Sequence, residues 1–197
     1  MGFHVDSEVG QLRRVILHRP GLELKRLTPT NKDALLFDDV LWVRRAQQEH
    51  DGFAEVLRDR GVHVHLFGDL LRESLELSEA RELVLGRVFD EREFGPLATR
   101  HLRAAFEAMD SGELASVLVG GMTKREYLAL HPEPLSVRFH VMEQDDFLLH
   151  PLPNHLFTRD TSAWIYDGVS VNAMRWPARQ RETVHFEAVH PPTPPPS

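Results

Sequence analysis

The sequence of 197 residues contains no cysteine. This absence excludes disulfides, zinc sites built on thiolates, and any thiol nucleophile supplied by these residues. A chain without disulfides fits a reducing compartment, and we expect a cytoplasmic protein. The sequence also has no run near the roughly 20 apolar residues that span a bilayer, and its first residues lack the apolar core of a secretory signal. We therefore expect no membrane partner.

Basic clusters are absent as well. The formal net charge is −7, and it is spread over the whole length. Because nucleic-acid binding relies on clustered Lys and Arg, we expect no nucleic-acid partner. The twelve histidines show no ligand spacing, so we predict no metal site, and we interpret His63, His65 and His155 as solvated or structural. What is present is the balance of a globular protein, with 42% hydrophobic and 27% charged residues.

The first third of the chain has an α/β pattern. Residues 12–17 and 62–67 are strand candidates, and between them apolar side chains recur in steps of three and four. The residues of this helical face are Val43, Ala46, His50, Phe53 and Leu57. Asp38 or Asp39 could cap the helix at its start, and Gly61 is expected just past its end. Strand, helix and strand together predict an α/β fold.

The middle of the chain, residues 75–145, has helical periodicity throughout, and we interpret it as a helical insertion in the α/β domain. We expect a buried helix face at Ala98, Leu102, Ala105 and Met109. Helix caps are predicted at Ser78, at Asp110 with Glu113, and at Thr123 with Glu126.

Strand character returns after residue 146, and Asp167-Gly168 separates two short strands as in a hairpin. A helix is expected from Arg179 to Val189. The domain prediction is therefore 1–74 and 146–190 for the α/β part, 75–145 for the insertion, and 191–197 for a proline-rich tail.

The most informative stretch for chemistry is PNHLFTRDT, residues 153–161, which places an amide, an aromatic ring and a carboxylate at the start of a strand. A carboxylate such as that of Asp160 can hold a planar guanidinium through two parallel, charge-assisted hydrogen bonds. The alternative from residue types alone is that Asp160 makes an Asx-turn and Arg159 is a solvated pair partner.

The order of several blocks resembles the arginine deiminases, members of the guanidino-group-modifying (pentein) superfamily. The blocks are SEVGQLRRVILHRPG, ELKRLTPTN and LLFDDVLWVRRAQQEHDGFAEVLRDRGV near the front, then LPNHLFTRDTSAWIYDGVSVN and MRWPARQRET. They cover most of residues 7–67 and 147–189, and the helical stretch between them also has a counterpart in the family. Amidinotransferases and agmatine-type deiminases are weaker matches.

The resemblance implies roles for four residues. Asp160 is similar to one of two aspartates that grip the substrate guanidinium, and it is our candidate catalytic residue. Phe157 is similar to the ring that packs against the substrate. Asn154 and Arg179 are similar to the pair that holds the α-amino acid end of arginine. A surface arginine on a helix is the alternative for Arg179. We also expect the LLFDD loop, residues 35–39, to lie near this site.

The resemblance also implies a fold and an activity. The fold would be an incomplete pentein-like β/α propeller with a helical insertion. The activity would be hydrolysis of L-arginine to L-citrulline and ammonia by a cysteine thiolate, with no cofactor and with L-arginine as partner. A homo-oligomer is a further expectation. In family order the cysteine, the histidine and the second aspartate follow the PARxxET block, but here VHFEAVHPPTPPPS follows it. We therefore expect a truncated enzyme that is inactive alone. The alternatives are one half of a split enzyme and a non-catalytic fragment that binds arginine or modifies an oligomer.

Overall fold

The computed structural model describes residues 4–131 and 137–190, so the predicted proline-rich tail lies outside the described residues. The strands are β1 Arg14–Leu17, β2 His63–Leu66, β3 Met122–Thr123, β4 Phe147–Leu149, β5 Ser162–Ile165 and β6 Gly168–Val171. The longer helices are α2 Val43–Asp59, α3 Phe67–Ser74, α4 Ser78–Val88, α6 Pro96–Glu107, α7 Ser111–Gly120, α8 Lys124–Leu130 and α11 Pro177–Val189. The short helices are α1 Leu22–Lys25, α5 Glu91–Phe94, α9 Val137–Val141, α10 Thr158–Thr161 and a 3-10 turn at Pro153–Leu156. The predicted α/β class is confirmed.

The front of the chain forms a β-α-β unit. Strands β1 and β2 pair in parallel, in register from Arg14 with His63 to Leu17 with Leu66, and α2 makes the crossover between them. Helix α2 ends at Asp59, and Gly61 lies just past its end, as predicted, with a φ of +77°. The backbone N–H of Gly61 donates to the carbonyl of Arg58, and that of Val62 donates to Leu57, which is a Schellman motif.

The start and the face of α2 differ from the prediction. Its N-cap is Trp42, which provides no side-chain cap, so the cap at Asp38 or Asp39 is wrong. Phe53 is 53% exposed, whereas Ala54 is the buried residue of the helix. Helix α2 contacts β2, and the side of the helix that is turned inward carries Ala54 rather than Phe53.

One hydrophobic cluster holds most of the structure together. Helices α3, α4, α6, α7 and α11 all contribute to it, with Phe67, Leu85, Leu102, Phe106, Leu118 and Phe186 among the most buried members. Since α3 and α11 lie outside residues 75–145, the cluster runs across both ends of the predicted helical insertion. The division into domains stays a prediction.

Helix caps in the middle segment were largely predictable. Thr123 and Glu126 form the predicted capping box, and Asp110 accepts hydrogen bonds from the backbone of Gly112 and Glu113. Ser78 is the exception, because it is the first residue of α4 and the N-cap is Leu77.

The predicted hairpin of β5 and β6 is confirmed, with its turn one residue earlier than expected. Ile165 pairs with Gly168, so the two loop residues are Tyr166 and Asp167. Tyr166 takes a left-handed φ of +50°, and its backbone pairs with Val5 near the N-terminus. Over residues 4–131 and 137–190, no helix is both long enough and apolar enough to cross a membrane.

Gly121, directly after α7, provides a test of this packing. Its φ is +80° and its ψ is 177°, a conformation open essentially to glycine alone, and an added Cβ would lie 2.5 Å from the carbonyl oxygen of Leu149. We expect Gly121→Ala to lower the free energy of unfolding by at least about 2 kcal/mol, measured by chemical denaturation. Gly68→Ala is the matched control, because nothing lies within 4 Å of its Cβ position in α3, and it should be neutral or slightly stabilising. Equal effects of the two variants would contradict the role of Gly121.

Candidate functional site

The segment with the candidate residues is anchored at two points. Pro153 opens the 3-10 turn, and the buried Asn154 donates from its side-chain nitrogen to the carbonyl of Leu35 at 2.7 Å. Thr158, in α10, donates from its hydroxyl to the carbonyl of Ile16 in β1 at 3.0 Å. Asp160 therefore lies in a helical turn just before β5 rather than at the start of a strand, as the sequence had suggested.

The LLFDD loop lies beside this segment, as predicted. Its Leu35 accepts the Asn154 hydrogen bond, and the Phe37 ring lies 6.5 Å from that of Phe157, centroid to centroid. Between them Leu36 takes a left-handed φ of +57°, which is rare for a branched residue. The bond from Asn154 helps to hold this strained loop against the site.

A guanidinium already contacts the candidate carboxylate. Nη1 of Arg179 donates to Oδ2 of Asp160 at 2.8 Å, so the structure brings together two of the predicted site residues from α10 and α11. The side chain of Asp160 is 47% exposed, and that of Arg179 is 15% exposed. Arg159 instead points to solvent and pairs with Glu8. The alternative from residue types therefore agrees with the structure for Arg159, a solvated pair partner, whereas the carboxylate of Asp160 has a guanidinium partner in place of an Asx-turn.

Glu182 is a third charged member of this group, and the sequence analysis did not identify it. Its carboxylate is fully buried and accepts from Nε of Arg179 at 3.1 Å and from Nη2 at 2.8 Å. The spacing Arg179-x-x-Glu182 on a helix was the available signal, since residues three apart lie on one face. Burial raises the pKa of Glu182 despite the Arg179 contact. Burial also opposes the charge on Arg179, but its hydrogen bonds to Glu182 and Asp160 outweigh this and raise the Arg179 pKa.

Phe157 and Asn154 are not part of the group of ion pairs that Arg179 forms with Asp160 and Glu182. Phe157 is 48% exposed, and its ring contact is with Phe37. Asn154 is 4% exposed and its side-chain nitrogen is taken by Leu35. Their predicted roles, ring packing and binding of the amino-acid end of arginine, stay predictions.

Behind the site lies a pair of buried histidines. The Nε2 atom of His155 and the Nδ1 atom of His185 are 2.8 Å apart, and the two rings are nearly parallel. Phe67 stacks on His155 with the ring centroids 4.8 Å apart and on Phe186 with the centroids 4.4 Å apart. Of the two alternatives for His155, solvated is wrong and structural agrees with its position. Within the described residues, Nδ1 of His155 and Nε2 of His185 have no hydrogen-bond partner. Burial lowers the pKa of His155 well below its usual value and lowers the pKa of His185 to about 3.

In the described part of the chain, no group of three His, Asp or Glu side chains is arranged to hold a metal ion. The charged groups of the site are the carboxylates of Asp160 and Glu182, which both accept hydrogen bonds from Arg179, and the exposed Phe157 lies three residues before Asp160 in the sequence. Such a site suits a planar, positively charged ligand.

A family model described as arginine deiminase matches residues 33–194, well over half of the chain. The matched region begins in the loop before α2 and extends beyond α11. It therefore includes Asn154, Phe157, Asp160 and Arg179.

The buried histidines predict a dependence of stability on pH. Both folded pKa values lie below the ordinary value near 6.5, so below that pH the unfolded chain binds more protons than the folded one. The free energy of unfolding should therefore fall as pH drops from 7 to 5, by up to about 1.4 kcal/mol per pH unit for each histidine. Chemical denaturation at a series of pH values measures this slope.

The double variant His155→Leu, His185→Leu should have a clearly smaller slope between pH 7 and 5. His101→Leu, at an exposed position of α6, is the control and should keep the slope of the parent chain. A double variant with the parent slope would contradict the assignment of the acid sensitivity to this pair.

Proposed function

The chain belongs to the arginine deiminase family, and from this premise we propose that its site takes L-arginine. The reaction is then the hydrolysis of L-arginine to L-citrulline and ammonia. The observation that carries this proposal is the 2.8 Å contact between the guanidinium of Arg179 and the carboxylate of Asp160, which is half exposed. A carboxylate that holds one guanidinium in this position has the chemistry to hold another.

Asp160 would bind the guanidinium of the ligand as one of two carboxylates. Among the described residues Arg179 engages Oδ2 of Asp160, and no donor reaches Oδ1. An incoming guanidinium can therefore donate to Oδ1 and share or displace Arg179 at Oδ2. Phe157, 48% exposed, would cover one face of the planar ligand, since a cation stacks well on an aromatic ring.

Arg179 and Asn154 would bind the other end of the ligand. Arg179 is a cation held near the protein surface, which suits the α-carboxylate of an amino acid. Asn154 would contribute through its side-chain oxygen, because its nitrogen already donates to Leu35. The rigid 3-10 turn around Asn154 would set the distance between the two ends of the site.

The chemical step of the proposal needs a thiolate from outside these 197 residues, which contain no cysteine. The sulfur would bond to the guanidinium carbon, and ammonia would leave after protonation by a histidine. Water would then cleave the carbon–sulfur bond and release L-citrulline and the thiolate. The buried pair His155 and His185 does not suit the proton transfers, because burial lowers both pKa values far below neutral pH.

For the fold, we propose that β1–α2–β2 and β5–β6 with α11 belong to a pentein-like β/α propeller that is incomplete in these residues, with the helical segment inserted. Strand β1 pairs only with β2 in the described part, so edges remain where further modules could pair.

A second candidate is a non-catalytic role. The absence of cysteine favours a protein that binds arginine, or modifies an oligomer of a complete enzyme, without turnover. One half of a split enzyme is the third form of the proposal, in which a separate polypeptide carries the thiolate.

We expect the purified chain alone to convert no L-arginine to L-citrulline above background. Loss of the nucleophile in enzymes with concerted catalytic groups costs on the order of a million-fold in turnover. A colorimetric citrulline assay at high protein concentration measures this. Citrulline formation that depends on Asp160 would contradict the proposal that the thiolate comes from elsewhere.

Supplying the cysteine-bearing half of a related enzyme, by co-expression or fusion, tests the role of Asp160. Activity should appear, and Asp160→Asn should lower kcat/KM by roughly two to four powers of ten, because two charge-assisted hydrogen bonds to the guanidinium weaken. Asp167→Asn is the matched control in the β5–β6 turn, with an 83% exposed carboxylate that pairs with His4. An Asp160→Asn enzyme within tenfold of the parent would show that the guanidinium binds elsewhere.

A further inference from the structure

Glu182 is the most buried charged residue of the site. Its side chain has no exposed surface, and it lies one helical turn after Arg179 in α11. Among the described residues, every hydrogen bond to its carboxylate comes from Arg179. Burying a carboxylate is costly, and its hydrogen bonds to Arg179 indicate what the burial of Glu182 achieves.

The contact fixes the guanidinium in a plane. Nε and Nη2 of Arg179 both donate to Glu182, which occupies one edge of the group, and Nη1 donates to Asp160. Because the two carboxylates hold different nitrogen atoms of the guanidinium, the group cannot rotate about the last side-chain bonds of Arg179. The N–H groups that remain for a ligand are therefore on Nη1 and Nη2, held in a defined direction.

Asp160 and Glu182 differ in their exposure to solvent, and therefore in whether a ligand can reach them. Asp160 is half exposed and reaches Arg179 with one oxygen, so a ligand can compete with that contact. Glu182 is enclosed by protein and is not available to a ligand. It can act on a ligand only through Arg179.

We propose that Glu182 is a positioning residue, which orients Arg179 toward the carboxylate of the ligand and so makes the site prefer an α-amino acid over the decarboxylated amine. The inference rests on the proposed function in one respect, since it takes a ligand with a guanidinium at Asp160 and a carboxylate at Arg179.

The first experiment tests the orientation without a ligand. In the full chain, NMR can follow hydrogen exchange of the arginine Nε–H groups, with Arg179 assigned by its loss in Arg179→Lys. The Nε–H of Arg179 should exchange at least about tenfold more slowly than that of Arg159, whose side chain is 84% exposed. Glu182→Gln, which keeps the shape but not the charge, should remove most of this protection, and Glu182→Asp should restore part of it.

The second experiment measures specificity by titrating the same chains with L-arginine and with agmatine. Glu182→Gln should weaken L-arginine binding about tenfold and agmatine binding less than twofold, because agmatine has no carboxylate for Arg179. Glu187→Gln is the matched control, since Glu187 is on the same helix and pairs with Arg87 at 3.3 Å, away from the site. It should change neither affinity.

The outcomes separate the two proposals. Fast exchange of the Arg179 Nε–H in the parent chain, or unchanged exchange in Glu182→Gln, would overturn the positioning role whatever the ligand does. Equal weakening of L-arginine and agmatine in Glu182→Gln would also overturn it. L-Arginine binding that Asp160→Asn leaves unaltered would instead overturn the proposed function, and the exchange data would then still decide whether Glu182 orients Arg179.

Discussion

The site depends on the contact between the segment before Asp160 and the helix that carries Arg179. These parts of the chain meet at the hydrogen bond between the buried rings of His155 and His185, within a stack that also includes Phe67 and Phe186. His155 lies five residues before Asp160, and His185 lies six residues after Arg179. The distance from Asp160 to Arg179 is therefore set by a packed interior rather than by two surface loops, and the charged groups meet with little freedom to separate.

The buried histidine pair fixes the geometry of the site, but it also buries polar ring nitrogens. Each histidine leaves one ring nitrogen without a partner among the described residues, although buried polar groups are normally paired. Two apolar side chains of similar size would avoid that penalty. The hydrogen bond, however, joins two particular rings and fixes the register between the 3-10 turn and α11, which apolar contacts do not do. The arrangement gains a defined geometry in exchange for stability at acid pH.

The sequence predicted features that depend on short-range rules. The capping box at Thr123 and Glu126, the helix end at Gly61 and the β5–β6 hairpin each follow from a few neighbouring residues. The errors have a different origin. Phe53 was assigned to the buried face because its spacing fits, but exposure depends on what packs against α2. Asp160 lies in a helical turn because of contacts with β1 and α11, which are distant in sequence. The burial of Glu182 and His185 also comes from tertiary packing, and no local sequence pattern predicts it.

The charges of the site suggest how it would distinguish its ligand from its own arginine. Asp160, Arg179 and Glu182 together carry two carboxylates for one guanidinium, so the group is short of positive charge when both acids are ionised. L-Arginine has a net positive charge at neutral pH, and its entry would bring the group toward neutrality. Arg179 donates only one hydrogen bond to Asp160, because Glu182 holds the Nε edge of Arg179 and leaves only Nη1 within reach of Asp160. The bond to the internal guanidinium is thus a single one on an exposed carboxylate, whereas a free guanidinium could make two parallel bonds. On the proposed function, that difference would let the guanidinium of the ligand displace Arg179 from Asp160, while Glu182 would keep Arg179 in place to bind the α-carboxylate of the ligand.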